Sequence, residues 1–465
     1  MPASVLRSSS DKERFSLLDS SSLGFDPASL FDPSLLPSAL ASDWQSLRLR
    51  VPQSGLCVLC KGSRMLCRKA QCPIIVKLSS HFSIAPKIRS LQLDGSSPPG
   101  VFVGRIGYPH VSVGPLAPPF QGDTSLLDLP ELWFGKSIEE IAAFRASLVR
   151  GKTTAHVQDA EAGGRLIEMT RELTLAAEPV EVELSFDKEP RGYLLLSDEV
   201  QPFGPSARIN SMRTGGARWD ARIEKAYEDT DLRAAEAVLR LYQDKVLVSR
   251  IQRAFSIGAF GLQGQRRLVP TRWSITAVDD TISKALAQRV RGFPLIDEYR
   301  VYESEYLDNR FEVLMLPQAW SYEAIEAWYP NTLWNPASPS VVFYGDYEGF
   351  GGRTRYASMG GCYYAARLAV TEHLAAERRQ ASVLVLREAH PGYIMPVGVW
   401  QVRENARNAL RNRPLVFNTL REALARIEAR LEIPLRTWIR GSRLLRDALH
   451  QRTIAEFLSQ PVPRR

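Results

Sequence analysis

Four cysteines within sixteen residues, Cys57, Cys60, Cys67 and Cys72, constrain this chain more than any other feature. A disulfide-stapled secreted domain spreads its cysteines along its length. Here the spacing is C-x2-C-x6-C-x4-C, and a C-x2-C turn delivers two thiolates to one tetrahedral metal. Gly62 permits the turn after the first pair. Lys61, Arg64, Arg68 and Lys69 favour the thiolates and offset their charge. The expected cofactor is a structural Zn²⁺ with no open position; the alternative is four buried or redox thiols. Residues 1–14 have no apolar core of the secretory kind, and no run of roughly 18 apolar residues occurs. Residence in the cytoplasm, associated with the nucleoid, is therefore expected, without membrane contact.

With 465 residues, 45% hydrophobic and 24% charged, the chain is long enough for about two to four globular domains. A disordered chain, a collagen-like fibre and a coiled-coil rod are excluded. The pattern reads as a flexible Ser-rich extension over 1–50, a C4 zinc finger over 51–80, an α+β core domain over 81–335, an α+β domain over 336–450 ending in Arg-rich helices, and a tail over 451–465. The segment Pro-Ile-Ile-Val-Lys-Leu-Ser-Ser after Cys72 reads as a strand. Residues 95–120 read as short strands joined by tight turns, 217–253 as helical, and 298–317 as a hairpin turning near Leu307. Two further buried strands are expected at 340–347 and 382–388, with a helix over 361–379 between them. A final pair of helices is expected over 420–431 and 436–450. Hairpins mixed with helices give an α+β class with mixed or antiparallel sheets, packed helices and a helical C-terminus.

Charge is placed unevenly. Residues 401–465 hold 14 Arg, no Lys and 6 acids, which is the whole net charge of +8. Such a segment suits an anionic partner, most often nucleic acid, or else a solvated helix face. In residues 261–280, Arg266, Arg267 and Arg272 are candidates to clamp phosphates, and Trp273 to stack on a base. Asp279 and Asp280, with Asp346 and Glu348 of a later Gly-rich stretch, are candidate Mg²⁺ ligands; the alternative for the first pair is an acidic helix N-terminus. Gly360-Gly361 precede a helix whose start would have free backbone N–H groups. Gly151-Lys152-Thr153 lacks the leading glycine of a P-loop. Cys362 reads as core.

At the end of the chain, Gln451, Ile454, Phe457 and Leu458 form Q-x-x-I-x-x-F-L. One helical turn makes the last three a compact apolar plug, with Gln451 one turn earlier. This PIP-like pattern resembles the peptides that dock on archaeal and eukaryotic sliding clamps, of the PCNA type. The alternative is a last amphipathic turn packed on its own domain.

Taken together, the cysteine cluster, the stretch Leu-Val-Pro-Thr-Arg-Trp-Ser-Ile-Thr-Ala-Val-Asp-Asp ending at Asp280, the stretch from Gly360 to Ala369 and the terminal peptide resemble the Nre family, archaeal proteins implicated in DNA damage repair. The resemblance implies a C4 zinc finger on Cys57, Cys60, Cys67 and Cys72 and a clamp-binding motif over Gln451–Leu458. It implies no established catalytic activity. Two functions follow as expectations: a repair factor bound to the clamp and to DNA, or a metal-dependent nuclease or other nucleotide-processing enzyme using Asp279, Asp280, Asp346 and Glu348. The second requires those carboxylates to converge, unpaired, in a basic cleft.

Overall fold

The computed structural model describes residues 49–50, 60, 64–66, 69, 71–84, 87–88, 90–191, 194–195, 203–332, 334–335 and 338–450. Residues 1–48, Cys57 and Cys67 of the cysteine cluster, and the tail 451–465 lie outside them.

Two mixed sheets organise the chain. The first comprises β1 (Gln92–Ser97), β2 (Phe102–Val103), β3 (His110–Gly114), β4 (Leu116–Ala117), β5 (Val149–His156), β6 (Val180–Phe186) and β7 (Ser206–Thr214). Their order is β1-β6-β7-β5-β3-β2, with β4 beside β5. Only β5 and β7 run parallel. In β6, Val180, Val182, Leu184 and Phe186 are buried while Glu181 and Glu183 are exposed, the period of two expected of a strand with one wet face. Helices α1 (Pro73–Ile84), α2 (Ile138–Ser147) and α3 (Arg165–Leu175) accompany this half. They are followed by α4 (Ala221–Glu228), α5 (Ala234–Gln243), α6 (Val248–Ser256) and the long α7 (Thr271–Val290).

The second sheet comprises β8 (Tyr299–Tyr306), β9 (Asn309–Leu316), β10 (Ser321–Trp328), β11 (Val342–Glu348), β12 (Ser382–Ala389) and β13 (Leu415–Phe417), in the order β11-β10-β12-β9-β8-β13. Every residue of β12 is buried, as befits a strand covered on both faces. Val383 and Val385 pack with α7, α8 (Gly361–Glu377) and α9 (Trp400–Arg411). Leu384 and Leu386 pack with α10 (Leu420–Arg430), α11 (Leu435–Gly441) and α12 (Arg443–His450). The result is three layers, helix on sheet on helix. Strands β10 and β11 pair residue by residue from Tyr322–Glu348 to Trp328–Val342.

An aromatic seam joins the halves. Trp133 meets Trp400 edge to face at 5.2 Å. The Tyr306 hydroxyl donates to the carbonyls of Trp133 and Lys136, each at 2.6 Å. Val76 of α1 and Ile141 of α2 lie in the same cluster.

Several elements differ from expectation. The segment after Cys72 is helix α1, not a strand. Pro73 stands at its start, where the missing N–H costs nothing, and burial on most sides removes the helical period from the sequence. Residues 217–253 form three helices; Lys245, at φ +63°, lies just past the end of the second. The strand at Val342–Glu348 is an edge strand with Tyr344 and Gly345 exposed, not a buried one. The last expected helix breaks at Ser442, where the buried Glu323 carboxylate accepts from the Ser442 hydroxyl and the N–H groups of Arg443 and Leu444, capping α12. The hairpin is as expected, with Leu307 and Asp308 both at positive φ in a two-residue turn.

Candidate nucleic-acid interface

Three long helices begin at one end of the molecule. The Thr276 hydroxyl lies 3.1 Å from the position a Cβ on Gly361 would take. Further along both helices, Arg367 Nε donates to the Ser283 hydroxyl at 3.1 Å, so α7 and α8 run parallel. A Val399 methyl also lies 3.1 Å from that Cβ position, and Arg407 of α9 reaches Glu372 of α8 at 2.8 Å and 2.7 Å, so α9 is parallel too. Gly361 is what lets the three starts approach so closely. None of the three has a side-chain cap or an acidic residue in its first turn. Each start carries about half a positive charge from the peptide dipoles, which suits an anion.

Aromatic rings surround this end. Trp273, one turn before Thr276 on α7, is 46% exposed. The Tyr108 ring, 52% exposed, meets it at 5.2 Å. Beyond Gly360, Tyr356 is 67% exposed and packs on Tyr364 at 5.5 Å. Arg105, Arg267, Arg272 and Arg355 are exposed around them. The Val157 N–H donates to the Pro109 carbonyl at 2.9 Å, and the Leu268 N–H to the Val157 carbonyl at 2.8 Å, which brings the Arg267 segment beside the Tyr108 loop. Two motifs far apart in sequence, 261–280 and 344–361, thus meet.

Arg266 is not part of this face. It is buried, donates to the carbonyls of Gly261 at 3.0 Å and Tyr227 at 2.6 Å, and lies 4.9 Å over the Tyr227 ring.

The four carboxylates are held by arginines. Asp279 and Asp280 sit in the third turn of α7, not at its start. Asp279 is fully buried and accepts twice from Arg403, each at 3.0 Å. Asp280 and Glu348 do converge, but on Arg367, which donates to Asp280 and, at 2.7 Å, to Glu348. Burial opposes the charge on Arg367, yet these two carboxylates hold its pKa above the usual value. Asp346 pairs with Arg353 at 2.9 Å and accepts from Ser358; against the effect of burial, these partners hold it below the usual carboxylate range. Their visible work is to fix α7, α8 and β11 together. The open, converging cluster that two-metal hydrolysis requires is not what this geometry offers.

Cys362 is half-buried at the start of α8 and packs on the core; burial, then Glu326, pushes its thiol up, which disfavours the thiolate. Cys60 and Cys72 are buried, and the Leu66 N–H donates to Cys60 Sγ at 3.4 Å. A zinc site on these two donors would also need Cys57 and Cys67, which lie outside the described residues. Lys69, between the cysteines, donates to the Ile394 carbonyl at 3.2 Å. Among the described residues, no helix is long and apolar enough to cross a membrane.

Sequence reasoning missed Arg105, Tyr108 and Tyr356 on this face, and Arg367 and Arg403 beneath it. Arg367 did carry a signal: an arginine inside an apolar helix, as in Tyr-Tyr-Ala-Ala-Arg-Leu-Ala-Val, needs a buried partner.

The features described define an α+β protein of two mixed sheets with an uncapped, arginine-rimmed aromatic face. The chain belongs to the archaeal Nre family: the description "Archaeal Nre, N-terminal" matches residues 66–335, and "Archaeal Nre, C-terminal" matches 348–457. It is 42% identical over 403 residues to the DNA repair protein NreB of Archaeoglobus fulgidus, covering 86% of this chain and 100% of that one. It is 37% identical to the DNA repair protein NreA of the same organism, covering 81% and 94%, and 37% identical to that of Haloferax volcanii, covering 74% and 84%. No solved structure matches the chain.

Proposed function

We propose that this chain is a DNA damage repair factor that holds DNA against the face built from Trp273, Tyr108, Tyr356, Arg267 and Arg272, and docks on a PCNA-type sliding clamp through Gln451, Ile454, Phe457 and Leu458. Its relatives are named DNA repair proteins. The observation that carries the DNA contact is the meeting of exposed rings and arginines at parallel, uncapped helix starts. Phosphates suit the arginines and helix starts, and bases suit the rings. The clamp motif supplies local concentration rather than chemistry. Cys57, Cys60, Cys67 and Cys72 would hold a Zn²⁺, which when bound cross-links the N-terminal segment; Lys69 then ties that segment to the loop before α9.

One purified sample tests the reading, with DNA binding by anisotropy and clamp binding by calorimetry. Phe457→Ala is expected to abolish clamp binding while leaving DNA affinity unchanged. Wild-type chain that binds neither ligand would overturn the proposal, and elemental analysis showing no zinc in fresh protein would remove the metal.

A further inference from the structure

The tip of the β2–β3 hairpin, Arg105-Ile106-Gly107-Tyr108, presents Ile106 at 90% exposure, the highest among the exposed large apolar side chains of the described residues. A lone exposed isoleucine is unremarked in most proteins, but this one is neither isolated nor loosely held. Tyr108, two residues on, abuts Trp273, and the exposed Arg105 and Arg272 are the chain neighbours of Ile106 and Trp273. The hairpin is braced. Gly104 N–H donates to the Ser112 carbonyl at 2.7 Å and His110 N–H to the Gly107 carbonyl at 2.9 Å. Val103 N–H donates to the Thr271 hydroxyl at 3.0 Å, fastening the hairpin root to the start of α7. Gly107 has φ +86°, and a Cβ there would stand 2.8 Å from the His110 carbonyl oxygen, so only glycine suits the turn.

A braced apolar tip beside a cation and an exposed ring pair is what a protein needs to enter a base stack. Apolar wedges slip between base steps at the cost of unstacking, and that cost is least where the stack is already broken. The geometry points to Ile106 as such a wedge, and to duplex DNA with an interrupted base stack as the preferred substrate class. This rests on the DNA-binding face proposed above and adds to it the discrimination between damaged and intact duplex.

The test compares two labelled duplexes, identical except that one lacks a single base, with 2-aminopurine beside the gap, titrated with full-length chain. Wild type is expected to bind the gapped duplex on the order of tenfold tighter than the intact one, with a rise in 2-aminopurine fluorescence as its neighbour unstacks. Ile106→Ala should bring the ratio near one and remove the rise, leaving intact-duplex affinity unchanged, and Ile106→Leu should restore both. Binding to both duplexes with an equal ratio in wild type, or a ratio unchanged in Ile106→Ala, would overturn the wedge alone. Binding to neither duplex would overturn the DNA-binding face and the wedge with it.

Discussion

Arginine does opposite work beneath and upon the face where the helices begin. Beneath it, Arg253, Arg367, Arg387 and Arg403 are buried, and each meets a carboxylate: Asp128, Glu348, Glu326 and Asp279 respectively. Upon it, Arg105, Arg267, Arg272 and Arg355 are exposed. The buried set fixes helix positions and has no charge to spare; the exposed set is available to a ligand. The Arg-rich C-terminal segment divides the same way. Arg403 and Arg407 turn inward, and Arg426 pairs with Glu303, whereas Arg411, Arg413, Arg421, Arg436, Arg440 and Arg446 remain exposed. A net charge of +8 therefore says little until each cation is placed.

The largest effect should come from the buried set. Arg403→Ala leaves Asp279 buried without its partner, which is expected to cost about 3–5 kcal/mol in chemical denaturation. Exchanging the pair together for Met and Leu should recover most of that loss, because the desolvation penalty of both ions disappears. A single-variant loss below about 1 kcal/mol would place the pair with surface ion pairs and erase the contrast.

Glu312 sharpens the contrast as a buried acid that no arginine among the described residues hydrogen-bonds. It lies on β9, both its oxygens lack a hydrogen-bond partner among the described residues, and Arg430 Nε is 3.8 Å away. Burial, then Glu303, pushes its carboxyl from 4.5 up to about 9. The folded chain thus keeps a proton that the unfolded chain releases near 4.5, so this group's contribution to stability is full below that pH and declines as pH rises toward about 9. Glu312→Gln should flatten the decline and stabilise the protein by roughly 3 kcal/mol at pH 7. Parallel stability profiles for variant and wild type across this window would show that the carboxyl titrates normally.

The readability of the chain follows the same division. Elements with one wet face, such as β6, and the hairpin at Leu307 announce themselves by period and turn. Helix α1 does not, because burial on most sides erases its period. Of the site, Arg267, Arg272 and Trp273 stand out in the sequence by composition beside Pro270. Tyr108 and Tyr356 do not, because exposure is a property of the assembled surface. Asp280 and Glu348 do come together as the nuclease reading requires, yet Arg367, from a third segment, takes the space between them. Convergence without knowledge of the intervening cation is therefore no guide to metal binding.

The smallest effect tests the exposed set alone. Trp273 is half-exposed and contributes one ring contact, to Tyr108, so Trp273→Ala should leave thermal stability close to wild type while weakening DNA binding by about 1–3 kcal/mol, the worth of one stacked base. Arg272→Ala should instead lower the dependence of affinity on salt by about one unit of slope, as loss of one phosphate contact does. The two signatures are independent. A stacking residue changes affinity at every salt concentration, and a phosphate contact changes the slope. If both variants altered stability and neither altered binding, the exposed arginines and rings would be structural like those beneath them, and the face would have no ligand to attract.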